Sequence, residues 1–352
     1  MLKRQPIRPT WFSRPPSSRS ERMATRQISF TTALKEALAE EMAADSRVIL
    51  LGEDVATYGG VYKVSQGLLE RFGPDRVRDT PISEAVIVGA GVGAAIQGLR
   101  PVVEIMYADF IPIALDQIVN QASLMYFVSG GTVNVPLVIR TQGGSGSYAG
   151  PQHSKSLEAW FGHIPGLKVV APSTPAEAKG LLKAAIRDEN PLIFCEHKLL
   201  YRTVGPVPDD LDVIPLGRAA VKRLGKDVTL IAWSRMVLEA LKAAERLAEE
   251  GIEAEVVDLR SLCPLDDDTV VQSVQKTGRA IVVQEAWRTA GFGAEVVSRI
   301  QEHCFDALDG PVLRVAGQDA PIPFSPALEP KAAPDAAAIF HAARRLWRDP
   351  SA

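Results

Sequence analysis

The chain has 352 residues, which exceeds one typical hydrophobic core and predicts two domains. Hydrophobic residues make up 46% and charged residues 23%, the composition of an ordinary globular protein. The net charge of −3 gives no reason to expect a nucleic-acid partner. The longest apolar run, residues 85–96, is too short and too rich in glycine to span a membrane, so we expect no membrane partner.

The first 22 residues differ in composition from the rest of the chain. They hold six basic residues, several serines and prolines, and a single acid, Glu21. Such a segment is typical of a disordered basic leader or a transit-like extension. The alternative is that the start codon is assigned too early and that translation begins at Met23. We therefore leave residues 1–22 out of the fold prediction. A cytoplasmic location is expected, or the mitochondrial matrix if this leader is a transit peptide.

The three cysteines are Cys195, Cys263 and Cys304. They are odd in number, far apart, and show no spacing typical of a metal site. This pattern predicts reduced, mostly packed thiols in a cytosol-like compartment.

Strands and helices are predicted to alternate from Ile28 onward. Thr32 can cap a helix over residues 32–44, and the apolar run at 48–51 predicts a buried strand that ends at Gly52. The pattern then predicts helices at 86–97, 115–127 and 175–187, and strands at 102–105, 136–139, 168–171 and 192–195. Alternation of this kind predicts a parallel sheet covered on both faces.

A change of composition at residues 201–215, where prolines and aspartates cluster, predicts a linker. Beyond it the alternation resumes, with strands at 228–232, 255–258 and 280–284 and an amphipathic helix at 236–250 that is stopped by Gly251. The predicted organisation is an α/β domain at 23–200, the linker at 201–215, and a second α/β domain at 216–348. Both domains are predicted to be doubly wound.

Several motifs occur in order along the chain and together resemble one known family. They are Leu-Gly-Glu-Asp-Val at 51–55, Asp-Thr-Pro-Ile-Ser-Glu at 79–84, Gly-Leu-Arg-Pro at 98–101, Asp-Gln-Ile at 116–118, Gln-His-Ser at 152–154, Pro-Gly-Leu-Lys-Val-Val at 165–170, and Asp-Leu-Arg-Ser-Leu-Cys-Pro-Leu-Asp at 258–266. The chain resembles the β subunit of the thiamine diphosphate-dependent decarboxylating component of 2-oxoacid dehydrogenase complexes. Pyruvate, branched-chain and acetoin-cleaving systems share this subunit.

The resemblance implies a pyrimidine-binding domain followed by a transketolase C-terminal-type domain. The other half of such a site is a Gly-Asp-Gly followed by Asn-Asn, which places Mg²⁺ and the diphosphate, and the sequence contains no such motif. An α subunit is therefore expected to hold Mg²⁺ and to complete an α₂β₂ heterotetramer. The resemblance further implies that the complex decarboxylates a 2-oxoacid, pyruvate first and a branched-chain one next, and transfers the acyl unit to a lipoyl group of the acyltransferase core.

Glu84 is the first candidate catalytic residue. The coenzyme must lose a proton from its thiazolium ring, and a carboxyl hydrogen-bonded to the pyrimidine ring promotes that loss, best in a dry pocket. Glu84 precedes the apolar run 85–88, which suits such a pocket. The alternative is a first-turn acid that only favours the helix dipole.

His153 is the second candidate, because it follows a Gly-rich loop that can carry an imidazole to a site between subunits. The resemblance implies a role in proton transfer and in handling the acyl intermediate, with a capping or packing histidine as the alternative. The resemblance also implies that Phe110 and Met106 contact the aminopyrimidine, and here the alternative is two ordinary core residues. The glycines Gly89, Gly91 and Gly93 do not match a dinucleotide-binding loop, and we expect them to allow close helix packing.

A structural K⁺ site is a further expectation from the resemblance. The matching family segment holds the ion through oxygen atoms at Leu137, Ala185, Ile186, Asp188 and Asn190. Hard cations favour oxygen ligands of this type, and a helix C-terminus satisfied by water is the alternative.

Two segments depart from the pattern of pyruvate enzymes. Residues 141–149 differ from the stretch that those enzymes often show, and residues 196–202 are more similar to acetoin-type or general 2-oxoacid subunits. Acetoin cleavage with the same cofactor is therefore the alternative activity. A non-catalytic scaffold subunit is the alternative of a different class, and the joint presence of Glu84, Phe110 and His153 argues against it.

Overall fold

The computed structural model describes residues 24–349, so the predictions for the basic leader lie outside the described residues. The first domain has the strands β1 (Thr25–Ser29), β2 (Val48–Gly52), β3 (Val77–Asp79), β4 (Arg100–Ile105), β5 (Val138–Gly143), β6 (Lys168–Val170), β7 (Leu192–His197) and β8 (Val204–Pro208). Its helices are α1 (Phe30–Ala44), α2 (Leu68–Phe72), α3 (Glu84–Ile96), α4 (Met125–Val128), α5 (Glu158–Gly162) and α6 (Pro175–Arg187).

The second domain has a similar alternation. Its strands are β9 (Ala220–Arg223), β10 (Val228–Ala232), β11 (Ala254–Asp258), β12 (Ser261–Cys263), β13 (Ala280–Trp287) and β14 (Leu313–Gly317). Its helices are α7 (Met236–Glu249), α8 (Asp267–Thr277), α9 (Gly293–Cys304) and α10 (Ala336–Arg348).

Each domain is built on a mostly parallel sheet. The first has the strand order β12-β6-β7-β5-β4-β2-β3, in which only β12 runs antiparallel to its neighbour. The second has the order β14-β13-β10-β11-β9, with β9 antiparallel. Helices lie on both faces of each sheet, so the predicted α/β class with two doubly wound domains is confirmed.

The two domains share structure that the linker prediction did not anticipate. Strand β12 belongs to the second half of the chain but pairs with β6 at the edge of the first sheet. One hydrophobic cluster joins α3 and the underside of the first sheet to Trp233, Val257 and the inner faces of α8 and α9. The segment predicted as a linker contains β8, which pairs antiparallel with β1. Its prolines fit there because an edge strand needs fewer amide donors.

Two local predictions differ from the structure. Helix α1 begins at Phe30, and its cap is Ser29, whose hydroxyl accepts from the Thr32 amide at 3.1 Å; the prediction of Thr32 as the cap is wrong. No single helix spans 115–127. The chain there forms a 3₁₀ helix at Ala108–Ala114, a π-helical turn at Gln117–Ala122 and the short α4. Pro112 lacks the amide that an α-helix would need at that position.

Helix α3 shows which glycine is required for packing. A Cβ atom at Gly91 would lie 2.9 Å from side-chain carbons of both Val103 and Leu137, so only glycine fits against the sheet there. At Gly93 a Cβ would meet nothing within 4 Å, and at Gly89 it would make only an ordinary contact with Gln117. The expectation of close helix packing therefore holds for Gly91 and fails for the two glycines on the outer face.

Candidate active site

The candidate site lies at the carboxyl edge of the first sheet, where ligands of open parallel sheets bind. Met106 directly follows β4, and the loop that carries His153 follows β5. Glu84 opens α3, which packs against the 3₁₀ helix that carries Phe110. The four residues predicted from the sequence therefore come from three neighbouring connections at this edge.

His153 lies against two aromatic rings. Its ring makes edge contacts with Tyr107 and Phe110, with centroids 5.3 and 5.5 Å apart. Tyr107 contacts Tyr62, and Tyr62 stacks on the buried Tyr201 at 4.1 Å. Met106, Tyr107, Phe110 and His153 all stay partly exposed. The structure thus brings Phe110 and His153 into contact at a partly exposed position.

Glu84 is 6% exposed, yet no hydrogen bond or ion pair of its carboxyl group is found among residues 24–349. Neither carboxyl oxygen is among the fully buried side-chain atoms that lack a partner, so the group still reaches solvent and can accept a partner from a ligand at this edge. Glu53, which follows β2, lies near Glu84. Burial is the main cause that raises the pKa of Glu53, and the negative charge of Glu84 is the second. Glu84 is also the first-turn acid of α3, so the helix dipole acts on it in addition.

Asp79 was not singled out as a site residue within its motif, and it has a structural role. Its carboxylate accepts from the main-chain amides of Ala56 at 2.7 Å and Thr57 at 3.1 Å. These bonds hold the turn that follows Glu53. Asp79 therefore shapes one wall of the candidate site.

A buried ion network supports the site from within the sheet. Arg140 is fully buried, donates to Glu104 at 2.7 Å, and forms a two-pronged pair with Glu196 at 2.7 and 2.9 Å. The Tyr201 hydroxyl donates to Glu196 as well. Burial raises the pKa of Glu196, against the effect of Arg140. Sequence reasoning missed this network, although charged residues inside three apolar strands were its signal.

The same network bears on residues 196–202, whose similarity to acetoin-type subunits put the substrate in doubt. Glu196 and Tyr201 pair within the interior, and His197 pairs with Glu285 of the second domain at 2.7 Å. Lys198 donates to the main-chain oxygen of His153. These residues serve the scaffold of this chain, so they are a weak guide to the substrate.

The segment predicted to hold K⁺ already contacts two cationic side chains. The main-chain oxygens of Ile186 and Asp188 accept from Arg100 at 3.0 and 3.1 Å, and the Asp188 carboxylate accepts from Lys168 at 2.5 Å. Asn190 donates to Asp188, and the Leu137 oxygen accepts from the Leu192 amide at 2.9 Å. The Ala185 oxygen accepts from the Asp188 amide at 3.3 Å. The assignment of Leu137, Ala185, Ile186, Asp188 and Asn190 as K⁺ ligands stays a prediction.

A parallel sheet with this carboxyl edge, continued by a second α/β domain in one shared core, defines a two-domain protein of the transketolase class. Comparison with known proteins agrees with that class. The family described as "Transketolase, pyrimidine binding domain" matches residues 26–204, and "Transketolase, C-terminal domain" matches residues 217–339. A solved structure titled "Split gene transketolase, inactive beta4 tetramer" superposes with a TM-score of 0.75 at 25% identity, covering 92% of this chain and 100% of that one.

Relatives of known name narrow the class. The "Pyruvate dehydrogenase E1 component subunit beta-1, mitochondrial" of Oryza sativa subsp. japonica is 47% identical over 94% of this chain and 89% of its own length. The E1 component subunit beta of Rhizobium meliloti (strain 1021) is 47% identical over 92% of this chain and 70% of its own length. The chain belongs to the family of pyruvate dehydrogenase E1 component β subunits. The predicted 2-oxoacid dehydrogenase β subunit is thereby confirmed, and it is of the pyruvate type.

Proposed function

We propose that this chain binds the aminopyrimidine end of thiamine diphosphate, with Glu84, Met106 and Phe110 as contacts and Glu84 and His153 as catalytic residues. The observation that carries the proposal is Glu84, an acid only 6% exposed at the carboxyl edge of the first sheet, whose carboxyl group has no partner among the described residues. The bound cofactor supplies a carbon nucleophile that attacks the keto group of a 2-oxoacid and stabilises the charge left by loss of CO₂. Pyruvate is the proposed substrate, and a lipoyl group of the acyltransferase core is the proposed acceptor.

The residues of this chain have distinct tasks in the proposal. Glu84 would hold a proton at its carboxyl oxygen for the pyrimidine ring. Phe110 offers its face to the ring, while His153 lies beside Phe110 and can move a proton at its imidazole nitrogen. The Arg140 network holds the sheet under these groups rigid.

The surface beside the site has the features of an interface with a second chain. Apolar side chains beside it are exposed to solvent, among them Ile82 at 79% and Val86 at 62%, and Phe127 on the nearby α4 is 84% exposed. An exposed apolar face of this kind is typical of a protein interface. We propose that an α subunit covers this face, supplies the ligands of Mg²⁺ and the diphosphate, and forms an α₂β₂ heterotetramer with this chain.

Two further parts of the proposal concern K⁺ and location. A K⁺ ion at the segment around Asp188 would share carbonyl oxygens with Arg100, which is possible because each carbonyl has two lone pairs. Replacing K⁺ by a larger ion in the buffer then lowers the melting temperature, and an ion-independent melting curve removes the site. Within residues 24–349, no helix is long and apolar enough to cross a membrane. A cytoplasmic location is proposed, or the mitochondrial matrix if residues 1–22 act as a transit peptide.

The experiment is a titration of thiamine diphosphate and Mg²⁺ into the purified chain, then into the chain assembled with its α subunit, with decarboxylation of pyruvate, branched-chain 2-oxoacids and acetoin cleavage as readouts. We expect tight binding and pyruvate decarboxylation only in the assembly. Ile82→Asp should weaken assembly, whereas Leu224→Asp, equally exposed on the β9–β10 turn, should not. Catalysis by the lone chain contradicts the two-chain site, and preference for acetoin contradicts the substrate.

A further inference from the structure

The loop between β5 and His153 is held in place by the second domain. Gly144 and Gly146 have φ angles of 88° and 94°, the left-handed region that favours glycine. A Cβ at Gly144 would overlap the His197 ring, and one at Gly146 would overlap the Leu199 side chain. The loop therefore lies tightly against the end of β7, and its path depends on what holds its main chain.

Two carboxylates of the second domain accept from that main chain. Glu285, on β13, accepts from the Ser145 amide at 2.5 Å and from the Ser145 hydroxyl at 2.8 Å. Glu329, in the 3₁₀ helix Glu329–Lys331, accepts from the amides of Gly146 at 2.9 Å and Tyr148 at 2.8 Å, one with each oxygen. We call Glu285 and Glu329 the carboxylate clamp. Hydrogen bonds to ionised acceptors are stronger than neutral ones, so the two side chains firmly hold the main-chain amides of three loop residues.

Glu285 is itself fixed as an ionised acceptor. The Leu199 amide donates to Nδ1 of His197 at 3.1 Å, so Nε2 carries the ring proton and donates it to Glu285 at 2.7 Å. Arg235 lies 3.8 Å from the same carboxylate. Burial opposes ionisation, but the hydrogen bond from His197, the charge of Arg235 and the Ser145 amide favour the ionised form and lower the pKa of Glu285. Glu285 is therefore a carboxylate at any working pH.

The far end of the loop leads directly to His153. The His153 main-chain oxygen accepts from Lys198, which follows β7, while the His153 ring lies against Tyr107 and Phe110. The carboxylate clamp holds the main chain of residues 145–148, and Lys198 holds the main-chain oxygen of His153. Together these bonds fix the position of the His153 ring. Neither clamp carboxylate contacts the aromatic site, because both are occupied by the loop main chain and by His197.

We propose that Glu285 and Glu329 are positioning residues, through which the C-terminal domain sets the place of His153 in the active site. This rests on the proposed function of His153. Misplacing a catalytic group by about 1 Å costs on the order of 10²-fold in rate. Loss of the clamp should therefore lower kcat and leave cofactor binding largely unchanged, because Glu84, Met106 and Phe110 lie on other connections.

The test uses Glu329→Gln in the full chain assembled with its α subunit. Glutamine has nearly the same shape, but its NH2 group replaces one of the two accepting oxygens and, being a donor, cannot accept from the loop amide that it faces. We expect kcat to fall about 10- to 100-fold, with KM for the 2-oxoacid and the affinity for thiamine diphosphate within about 2-fold of wild type. Amide hydrogen exchange at residues 145–150 should become faster. Glu250→Gln is the matched control, since Glu250 pairs with Arg344 and Arg348 within the same domain and lies far from the loop.

A second variant keeps the test decisive if Glu329→Gln fails to assemble. Ser145→Ala removes only the hydroxyl bond to Glu285 and leaves the second domain unaltered, so it should show a smaller fall in kcat and faster exchange in the same segment. Normal kcat with faster exchange, or a loss of cofactor affinity at normal kcat, overturns the positioning role. Hydrogen exchange needs no turnover, so unchanged exchange overturns the clamp even if the wild-type complex proves not to decarboxylate a 2-oxoacid.

Discussion

The carboxyl edge of the first sheet and the contact between the two domains differ in how fully their buried polar groups are hydrogen-bonded. At the edge, the Glu84 carboxyl has no partner among residues 24–349, and within the same residues both amide atoms of Gln142 and the Ser154 hydroxyl are buried without one. Between the domains, Glu285 and Glu329 each hold two or more partners. Buried polar groups in native proteins are nearly always paired. The unpaired groups at the carboxyl edge of the first sheet therefore indicate where a ligand would bind, and the paired groups between the two domains hold the structure in place.

The largest effect is expected at Glu84, the clearest unpartnered group of the edge. Glu84→Gln keeps the shape and removes the titratable proton, so turnover of the assembled complex should fall by about 10²–10⁴-fold while assembly is preserved. Steady-state decarboxylation measures this, and Glu70→Gln, an exposed acid on α2, is the control that should remain active. Near-normal turnover of the Glu84 variant would remove the assignment.

The next effect is expected at His153. His153→Ala should lower kcat by about 10²-fold, since a positioned acid–base group typically contributes that much, while thiamine diphosphate still binds. The comparison variant is His163→Ala, at an exposed histidine of the same domain, for which we expect no change. If cofactor affinity collapses and turnover per bound cofactor is normal, His153 has a binding role and the proposed one is wrong.

The inner and outer faces of α3 provide a smaller contrast in stability. Gly91→Val places side-chain atoms against Val103 and Leu137, where there is no room, and should lower the free energy of unfolding by about 1–3 kcal/mol. Gly93→Ala meets nothing within 4 Å and should raise it by about 0.5–1 kcal/mol, because alanine loses less backbone freedom. Denaturant unfolding of the purified chain checks both. Equal effects at the two positions would contradict the packing described for this helix.

A further effect on stability concerns pH and the contact between the domains. Asp258 is fully buried and accepts from Ser173 at 2.5 Å and from the Arg260 amide at 3.0 Å. Burial, and then the charge of Glu177, raises the pKa of Asp258 from 3.8 to about 8. At a pH between these two pKa values, Asp258 keeps its proton in the folded chain and has lost it in the unfolded chain. The stability that Asp258 contributes is therefore complete below about pH 4 and is lost as pH rises to about 8.

The corresponding variant is Asp258→Asn, which cannot titrate. From pH 6 to pH 8, the free energy of unfolding should decrease more steeply for the wild type than for the variant. The difference in slope should be up to about 1.4 kcal/mol per pH unit. Glu177 does not interfere, because the charges of Lys222 and Arg260 lower its pKa to about 2 against burial, and its titration lies below this window. Parallel stability curves for the two proteins across pH 6–8 would show that Asp258 does not titrate there.

Much of the site could be predicted from the sequence because its signals are local. The motif at 79–84 places an acid at the start of a helix, and the helix at Pro175–Arg187 and the strand at Val228–Ala232 have the predicted bounds. Such elements follow from capping residues and from runs of apolar residues within a few positions. The helix predicted at 115–127 was wrong, because the chain forms a π-helical turn at Gln117–Ala122 before the short α4, and apolar periodicity does not reveal such a break.

By itself, the sequence determined the α/β class, the pyrimidine-binding half-site and the identity of Glu84, Met106, Phe110 and His153 as candidates. Only the tertiary structure decided that β12 joins the first sheet, that Arg140 pairs with Glu104 and Glu196, and that Glu285 and Glu329 hold the loop before His153. These partners are separated by 36 to 183 residues. Local pattern predicts which residues are buried, but the choice of partner for a buried charge depends on which strands and loops the fold brings within hydrogen-bond distance.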